Sequence, residues 1–488
     1  MSHGAKSNGA MGRTAASGAA MSGAAVSGAA VSGAAASGAL DGLHRAVVVV
    51  GGGQAGLAMS WWLTRRGIDH VVLERTRVGE EWRERRWDTF CLVTPNWQCK
   101  LPGFPYDGED PDGFMVRDEI VRYVEAYAKS FDVPLAEGVT ATRLRRRTEG
   151  FEVVTTAGVL TADHVVVATG PYQVPLKPRM SERIPDWVRQ LHSADYRSPQ
   201  ALAEGAVLVV GSGQSGTQIA EDLHLAGRQV HLAVGTAPRV ARFYRGRDVV
   251  AWLEDMGYYR RPIDEFADAD AVRFRVNHYV TGRDGGRDID LRALARDGMR
   301  LYGRLTAVGP SPSGATLSFG DDLAQNLDAA DAVSESIKDS IDQWIDKQGS
   351  TAPAEPRYTP VWTPEGGRRT LDLAAEGVTS VVWSTGFGRD YRWIDVPVFD
   401  GRGYPTHVRG ETVCPGLYFL GLPWQHTWGS GRFCGVSDDA EYLAARIAAA
   451  RRRNLASVVH WLAGTPDETF PRDLYGSDVE WTAPRTVA

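Results

Sequence analysis

Six glycines, three at each of two places, have the spacing to cradle a diphosphate. Gly51-x-Gly53-x-x-Gly56 follows four consecutive valines, and Gly211-x-Gly213-x-x-Gly216 follows the run Ala206-Val-Leu-Val-Val210. In each, the first glycine permits a tight turn, the second leaves bare backbone for a pyrophosphate to approach, and the third lets a helix pack closely on a strand. The diphosphate would rest on the N-terminus of the following helix, where unpaired N–H groups and the helix dipole favour negative charge. Gln54 and Ala55 in the first unit, and Gln214 and Ser215 in the second, would supply such groups. Glu74, closing the strand Val71-Val72-Leu73, stands where an acid grips ribose hydroxyls. The corresponding strand of the second unit, 229–234, ends without an acid, and Arg239, Arg242, Arg245 and Arg247 follow. A carboxylate there would repel a 2′-phosphate, whereas arginine holds one bidentately, so NADP is favoured over NAD with Arg239 and Arg242 as its ligands. Two nucleotides, the halves of a redox relay, are implied.

Each turn needs a strand to enter it and a helix to leave it. Residues 46–50 and 206–210 are continuous apolar runs of the kind buried on both faces of a parallel sheet, and helical patterns follow over 57–66 and 217–225. The expected fold class is α/β, with two Rossmann-like dinucleotide-binding domains. The run 164–168 closes on Thr169-Gly170, beside the first nucleotide, and Pro171, Pro175 and Pro178 mark an exit to the second domain. A strand returns at 381–384. The first domain is therefore discontinuous, 41–172 plus 376–488, with the second inserted at 173–375. Residues 245–350 exceed a minimal nucleotide domain, and Val333, Ile337, Ile341, Trp344 and Ile345 draw one apolar stripe on a helix there. A lid or a homo-oligomer contact are roles open to this insertion. Residues 1–40, with Ser-Gly-Ala repeating, read as a disordered tail.

The length of 488 residues supports more than one core, and the net charge of −6 gives no electrostatic case for nucleic acid or an anionic membrane. No apolar run approaches the roughly 20 residues of a membrane span. Cys91, Cys99, Cys414 and Cys434 form no C-x-x-C pair, which argues against a metal site and against the dithiol of flavin-linked disulfide reductases. A cytoplasmic setting is the expectation. Residues 117–131 read as an amphipathic helix, 92–105, rich in proline and aromatic residues, reads as a loop of the kind that carries function, and the block 416–428 leads into a helix that begins near Val436.

These residues together resemble the class B flavin-dependent monooxygenases, which include flavin monooxygenases, the YUCCA enzymes, N-hydroxylases and Baeyer–Villiger enzymes. The resemblance spans 45–447 and is nearest to bacterial CzcO-like oxidoreductases. It implies FAD at the first turn with Glu74, and NADPH at the second. The family's Gly-Gly-x-Trp segment is similar to Gly79-Glu80-Glu81-Trp82, and its Ala-Thr-Gly linkers to Ala168-Thr169-Gly170 and Ser384-Thr385-Gly386. Its identifying string F-x-G-x-x-x-H-x-x-x-Y is half-matched, by His192 and Tyr196, while Asp186 and Val188 replace the Phe and Gly. The implied activity is NADPH-dependent oxygenation of a small substrate through O2 and a flavin C4a-hydroperoxide, at an amine nitrogen or other heteroatom. A flavoprotein reductase or NADPH oxidase that does not oxygenate, and a Baeyer–Villiger reaction, are the alternatives. Asn96 falls where the family keeps an asparagine near the flavin, and His426 could tune a peroxide; Trp97, Trp424 and Trp428 are the substrate-pocket candidates.

Overall fold

The computed structural model describes residues 38–366 and 368–462. Nearly all of the low-complexity tail lies outside them. Two parallel-centred sheets organise the rest. In the first, the strands run in the order Ile394–Asp395, Ala141–Arg146, Phe151–Thr155, Gly158–Val167, His44–Val50, His70–Glu74 and Leu135–Glu137, and Leu417–Phe419 pairs in parallel with the end of Gly158–Val167. Both faces of the central strand are covered, which is why its sequence does not alternate. Val47 and Val49 enter a core with the helices Gln54–Arg65, Arg117–Lys129 and Val436–Leu462, while Val48 and Val50 enter another with Leu144, Phe151 and Phe419. Each such side chain, fully buried, contributes about 1.5–3 kcal/mol of transfer free energy.

The second sheet is parallel throughout, in the order Arg189–His192, Val378–Trp383, Ala206–Val210, Val230–Ala233 and Arg300–Tyr302. The helix Gln214–Leu225 covers one face through Ile219 and Leu223, and the strands Leu305–Ser311, Gly314–Phe319 and Thr370–Asp372 cover the other.

Two boundaries differ from the sequence expectation. Val378–Trp383 lies between the first two neighbours of the second sheet, so the chain returns to the first domain after residue 383, not at 376. Its apolar run is equally suited to either sheet, and only the pairing register decides. The stretch 245–350 is likewise not wholly an excursion, because Arg300–Tyr302 forms an edge of the second sheet. The expected stripe belongs to the helix Leu323–Gln348, whose Ile341 and Ile345 pack with Tyr244, Val249 and Trp252, and which ends at Gly349 in the left-handed region, φ 63°.

Candidate functional site

The two glycine turns are near copies. A Cβ on Gly51 would meet the Ala168 carbonyl oxygen at 2.5 Å, and one on Gly211 the Ser384 carbonyl oxygen at 2.5 Å. Both residues have positive φ, 110° and 104°. A Cβ on Gly56 or Gly216 would lie 1.8 Å from the carbonyl of Gly51 or Gly211 respectively. Gly53, by contrast, faces open space, and Gly213 has only the Val276 side chain at 3.8 Å. Both helices start without a side-chain cap and without an acid in the first turn. Their leading N–H groups are thus left for an anion, which fits a dinucleotide diphosphate at each turn. Glu74 accepts from the Gly52 N–H at 2.8 Å and the Thr76 N–H at 3.0 Å, which fixes its carboxylate at the strand end with lone pairs to spare.

Arg239 and Arg242 do not fit the expected phosphate role. Arg239 is buried, 2.7 Å from Asp331 and 3.9 Å over the Tyr358 ring. Arg242 is buried too, paired with Asp248 at 3.0 Å, donating to the Val93 carbonyl at 2.7 Å and lying over Phe114 at 4.7 Å. Both charges are engaged inside the protein, so they hold segments together. Arg245 is similarly paired, with Asp342, and Arg247 with Asp255. Arg275, exposed, in no ion pair among the described residues and next to Val276 at the second turn, is a cation that local sequence did not single out.

Asn96 is buried with both ends of its amide in use: it donates to the Asp110 carbonyl at 2.9 Å and accepts from the Met115 N–H at 2.7 Å. Its visible role is to shape the loop 96–115. Gln98, one turn on, is buried with neither amide atom partnered among the described residues. Trp97 is half-buried with the Lys100 ammonium 5.3 Å from its ring. Trp82 stacks on Phe433 at 5.8 Å and 21°. Thr169 and Gly170 accept from the Gln173 amide, at 3.0 and 2.8 Å, where the outgoing strand Val174–Pro175 pairs with the returning Phe387–Gly388. The two interdomain crossings thus run side by side.

The segment 421–435 lies on the first turn. Gln54 donates to the Gly431 carbonyl at 2.9 Å, and a Cβ on Gly421 would stand 2.7 Å from that of Ala55. The insertion then packs on this segment: Ile263 N–H donates to the His426 carbonyl at 2.7 Å, Tyr259 meets Trp428 at 4.4 Å, and Phe266 meets Trp424 at 5.4 Å. Trp424 holds φ 53°, a strained conformation for a bulky side chain. His426 is half-buried. Across the second turn, Gln218 donates to the Val280 carbonyl at 2.9 Å, and so does Gln214. Arg432 joins the sides, donating to Asn277 Oδ1 at 3.0 Å. Burial pushes the Cys99 thiol up to about 12 and the Cys434 thiol up to about 11, so neither offers a thiolate near neutrality.

His192 and Tyr196 work as a strap. His192 Nδ1 accepts from the Ala194 N–H at 3.1 Å, so the proton sits on Nε2, which donates to the Gly386 carbonyl at 3.0 Å. Burial lowers its pKa. Tyr196 donates to Asp222 at 2.7 Å, and the same carboxylate takes Arg283 at 2.8 Å and the Thr89 hydroxyl of the first domain at 2.8 Å. The pattern residues therefore tie the second nucleotide helix to the crossing and to the first domain.

A family model described as pyridine nucleotide-disulphide oxidoreductase matches residues 48–282. The uncharacterized CzcO-like oxidoreductase of Geobacillus kaustophilus is 33% identical over 404 residues, covering 81% of this chain and 96% of that protein. The probable indole-3-pyruvate monooxygenase YUCCA4 of Arabidopsis thaliana is 31% identical over 196 residues, 40% of this chain and 47% of that protein. Among solved structures, ornithine N-hydroxylase of Kutzneria sp. 744 superposes with TM-score 0.56 at 15% identity, over 84% of this chain and 100% of that one. The flavin-containing monooxygenase of Stenotrophomonas maltophilia gives TM-score 0.53 at 20% identity, over 84% and 99%. These two likenesses concern the fold. The 33% identity to the Geobacillus protein across 81% of this chain, the paired glycine turns and the fold agree: the chain belongs to the CzcO-like oxidoreductases of the class B flavin-dependent monooxygenase family, which use FAD and NADPH.

Proposed function

We propose that this protein is a monooxygenase that oxygenates a small molecule at an amine nitrogen or another heteroatom, with FAD at the Gly51 turn and NADPH at the Gly211 turn. When bound, FAD takes a hydride from NADPH and passes the electrons to O2. The carrying observation is a chain of contacts that links the two turns: Gln54 of the first donates to the Gly431 carbonyl, the adjoining Arg432 donates to Asn277, and Val276 beside it lies against Gly213 of the second. The chain's own contribution is positioning and water exclusion. The Gly53 and Gly213 backbones would receive the diphosphates, Glu74 the ribose, and the wall of Tyr259, Phe266, Trp424 and Trp428 would shield the reacting centre. Gln98, whose buried amide is unpartnered among the described residues and which precedes by two residues the Lys100 N–H that donates to the Phe433 carbonyl, is the proposed ligand contact. Arg275 replaces Arg239 and Arg242 as the proposed 2′-phosphate ligand. The half-matched string favours no separate reading, because His192 and Tyr196 keep the interdomain strap intact and Val188, in the glycine's place, is accommodated in the core.

The reading is tested by NADPH oxidation under labelled O2 across a panel of amines and thioethers. One labelled atom in product supports it; hydrogen peroxide formed mole for mole with NADPH for every compound refutes it in favour of an oxidase. The cytoplasmic location is tested by fractionation of cells that make the protein.

A further inference from the structure

Two arginines combine the lack of an acid partner with partial burial among aromatic rings. Arg432 lies 3.7 Å over the Trp428 ring and donates to the Trp428 carbonyl and to Asn277. Arg86 lies over Trp82 at 5.0 Å and Phe90 at 5.5 Å, and donates to the Arg85 carbonyl. Neither has a carboxylate within ion-pair distance among the described residues. Loss of water lowers the pKa of both, yet each keeps accessible surface. Stacked rings join the two: the Trp82 under Arg86 stacks on Phe433, the neighbour of Arg432.

A cation withdrawn from water without a counter-charge is costly, and a planar guanidinium is matched best by a carboxylate or phosphate. The cofactor diphosphates already have the glycine turns and helix N-termini. The surroundings of Arg432 are aromatic, with Tyr258 and Tyr259 close enough to act on its charge and Trp428 under it.

We propose that Arg432 and Arg86 bind the carboxylate of the substrate, so that the enzyme takes small acids with an apolar or aromatic body. This names a substrate class for the reaction proposed above and rests on that reading. Arg432 would receive the carboxylate in its fork, Trp428 and Tyr259 would flank the body, and Arg86 would complete the positive potential.

The test uses the full chain loaded with FAD, with flavin absorbance as the readout. It is titrated with phenylacetate, 3-phenylpropionate and hexanoate, each against its primary amide. At least one acid should bind ~10-fold or more tightly than its amide, the scale of one charge-assisted hydrogen bond. Arg432→Gln should bring that ratio to about one, and Arg432→Lys should keep part of it. Ratios near one for all three acids in the native enzyme would overturn the proposal. So would an Arg432→Gln enzyme that keeps its acid preference but sheds FAD or raises the KM for NADPH, since the anion would then be a cofactor phosphate. Arg86→Gln in the same titration decides the matter if Arg432→Gln does not load FAD. Because the titration reads binding, a product without labelled oxygen would refute the reaction and leave this site standing.

Discussion

Replacing Arg242 by alanine separates a structural arginine from a phosphate-binding one. In the native protein its guanidinium is buried, pairs with Asp248 at 3.0 Å and reaches across to the Val93 carbonyl of the first domain at 2.7 Å. Asp248 is the N-cap of the helix Val249–Asp255, accepting from the Val250 N–H at 2.7 Å. Arg242→Ala therefore leaves a nearly buried carboxylate without its counter-charge, a loss of about 3–5 kcal/mol. At about 2–4 °C per kcal/mol for a domain of 150–250 residues, the thermal midpoint should fall by roughly 6–20 °C. Burial already raises the Asp248 pKa, and loss of the arginine raises it further. The folded state then holds a proton that the unfolded state releases, so stability falls as pH rises, and the variant's deficit should be larger at pH 8 than at pH 5. Calorimetry at the two pH values, beside steady-state kinetics with NADPH and NADH, checks this. An unchanged midpoint with a KM raised for NADPH alone would refute the argument and return Arg242 to the 2′-phosphate.

Arg275→Ala should raise the KM for NADPH about tenfold or more and leave NADH little affected, the scale of one charge-assisted contact; equal effects on both cofactors place the phosphate elsewhere. Gly53→Ala should preserve the fold and weaken FAD binding, read by flavin retention on gel filtration, whereas Gly56→Ala, whose Cβ would stand 1.8 Å from the Gly51 carbonyl oxygen, should not yield folded protein. Tyr196→Phe removes the 2.7 Å bond to the buried Asp222 and should cost about 1–3 kcal/mol in denaturant titration; no loss would mean the strap is idle. Burial pushes the pKa of His231 and of His164 down to about 4. The unfolded imidazoles take protons first, so stability should decline as pH drops from about 6.5 toward 4, and His231→Leu should flatten part of that slope.

The glycine turns and central strands were legible because their causes are local. Four valines in succession fit a strand covered on both faces, and Gly51 and Gly56 are demanded by carbonyls within the turn and at the adjoining strand end. What failed depends on partners far along the chain. The charge of Arg239 and Arg242 was visible after the second strand, but Asp331, which engages Arg239, and the Val93 carbonyl, which engages Arg242 beside the nearby Asp248, come from elements whose placement no local pattern fixes. Asn96 looked like a ligand-facing amide until its two backbone partners, at Asp110 and Met115, were seen to close a loop. Arg432 escaped notice for the converse reason, since its distinction is that no acid among the described residues lies within ion-pair distance of it in space. The return at Val378–Trp383 was mis-sided because an apolar strand carries no mark of which sheet it will join.

The order of the strands also bears on biosynthesis. Every strand of the second sheet lies between Arg189 and Trp383, whereas the first sheet joins His44–Val50 to Gly158–Val167 and then waits for Leu417–Phe419 and the helix Val436–Leu462. On the ribosome the inserted domain can close while the outer one is still missing its last strand, and domains that close as units do so in the order they emerge. The Gly51 turn, the proposed FAD site, on which Gly431 and Gly421 pack from the far end of the chain, is therefore finished last. With FAD at that turn as proposed, flavin capture becomes a check on whole-chain synthesis: a nascent protein cut short before residue 417 would carry the second sheet formed and the first without its last strand and helix.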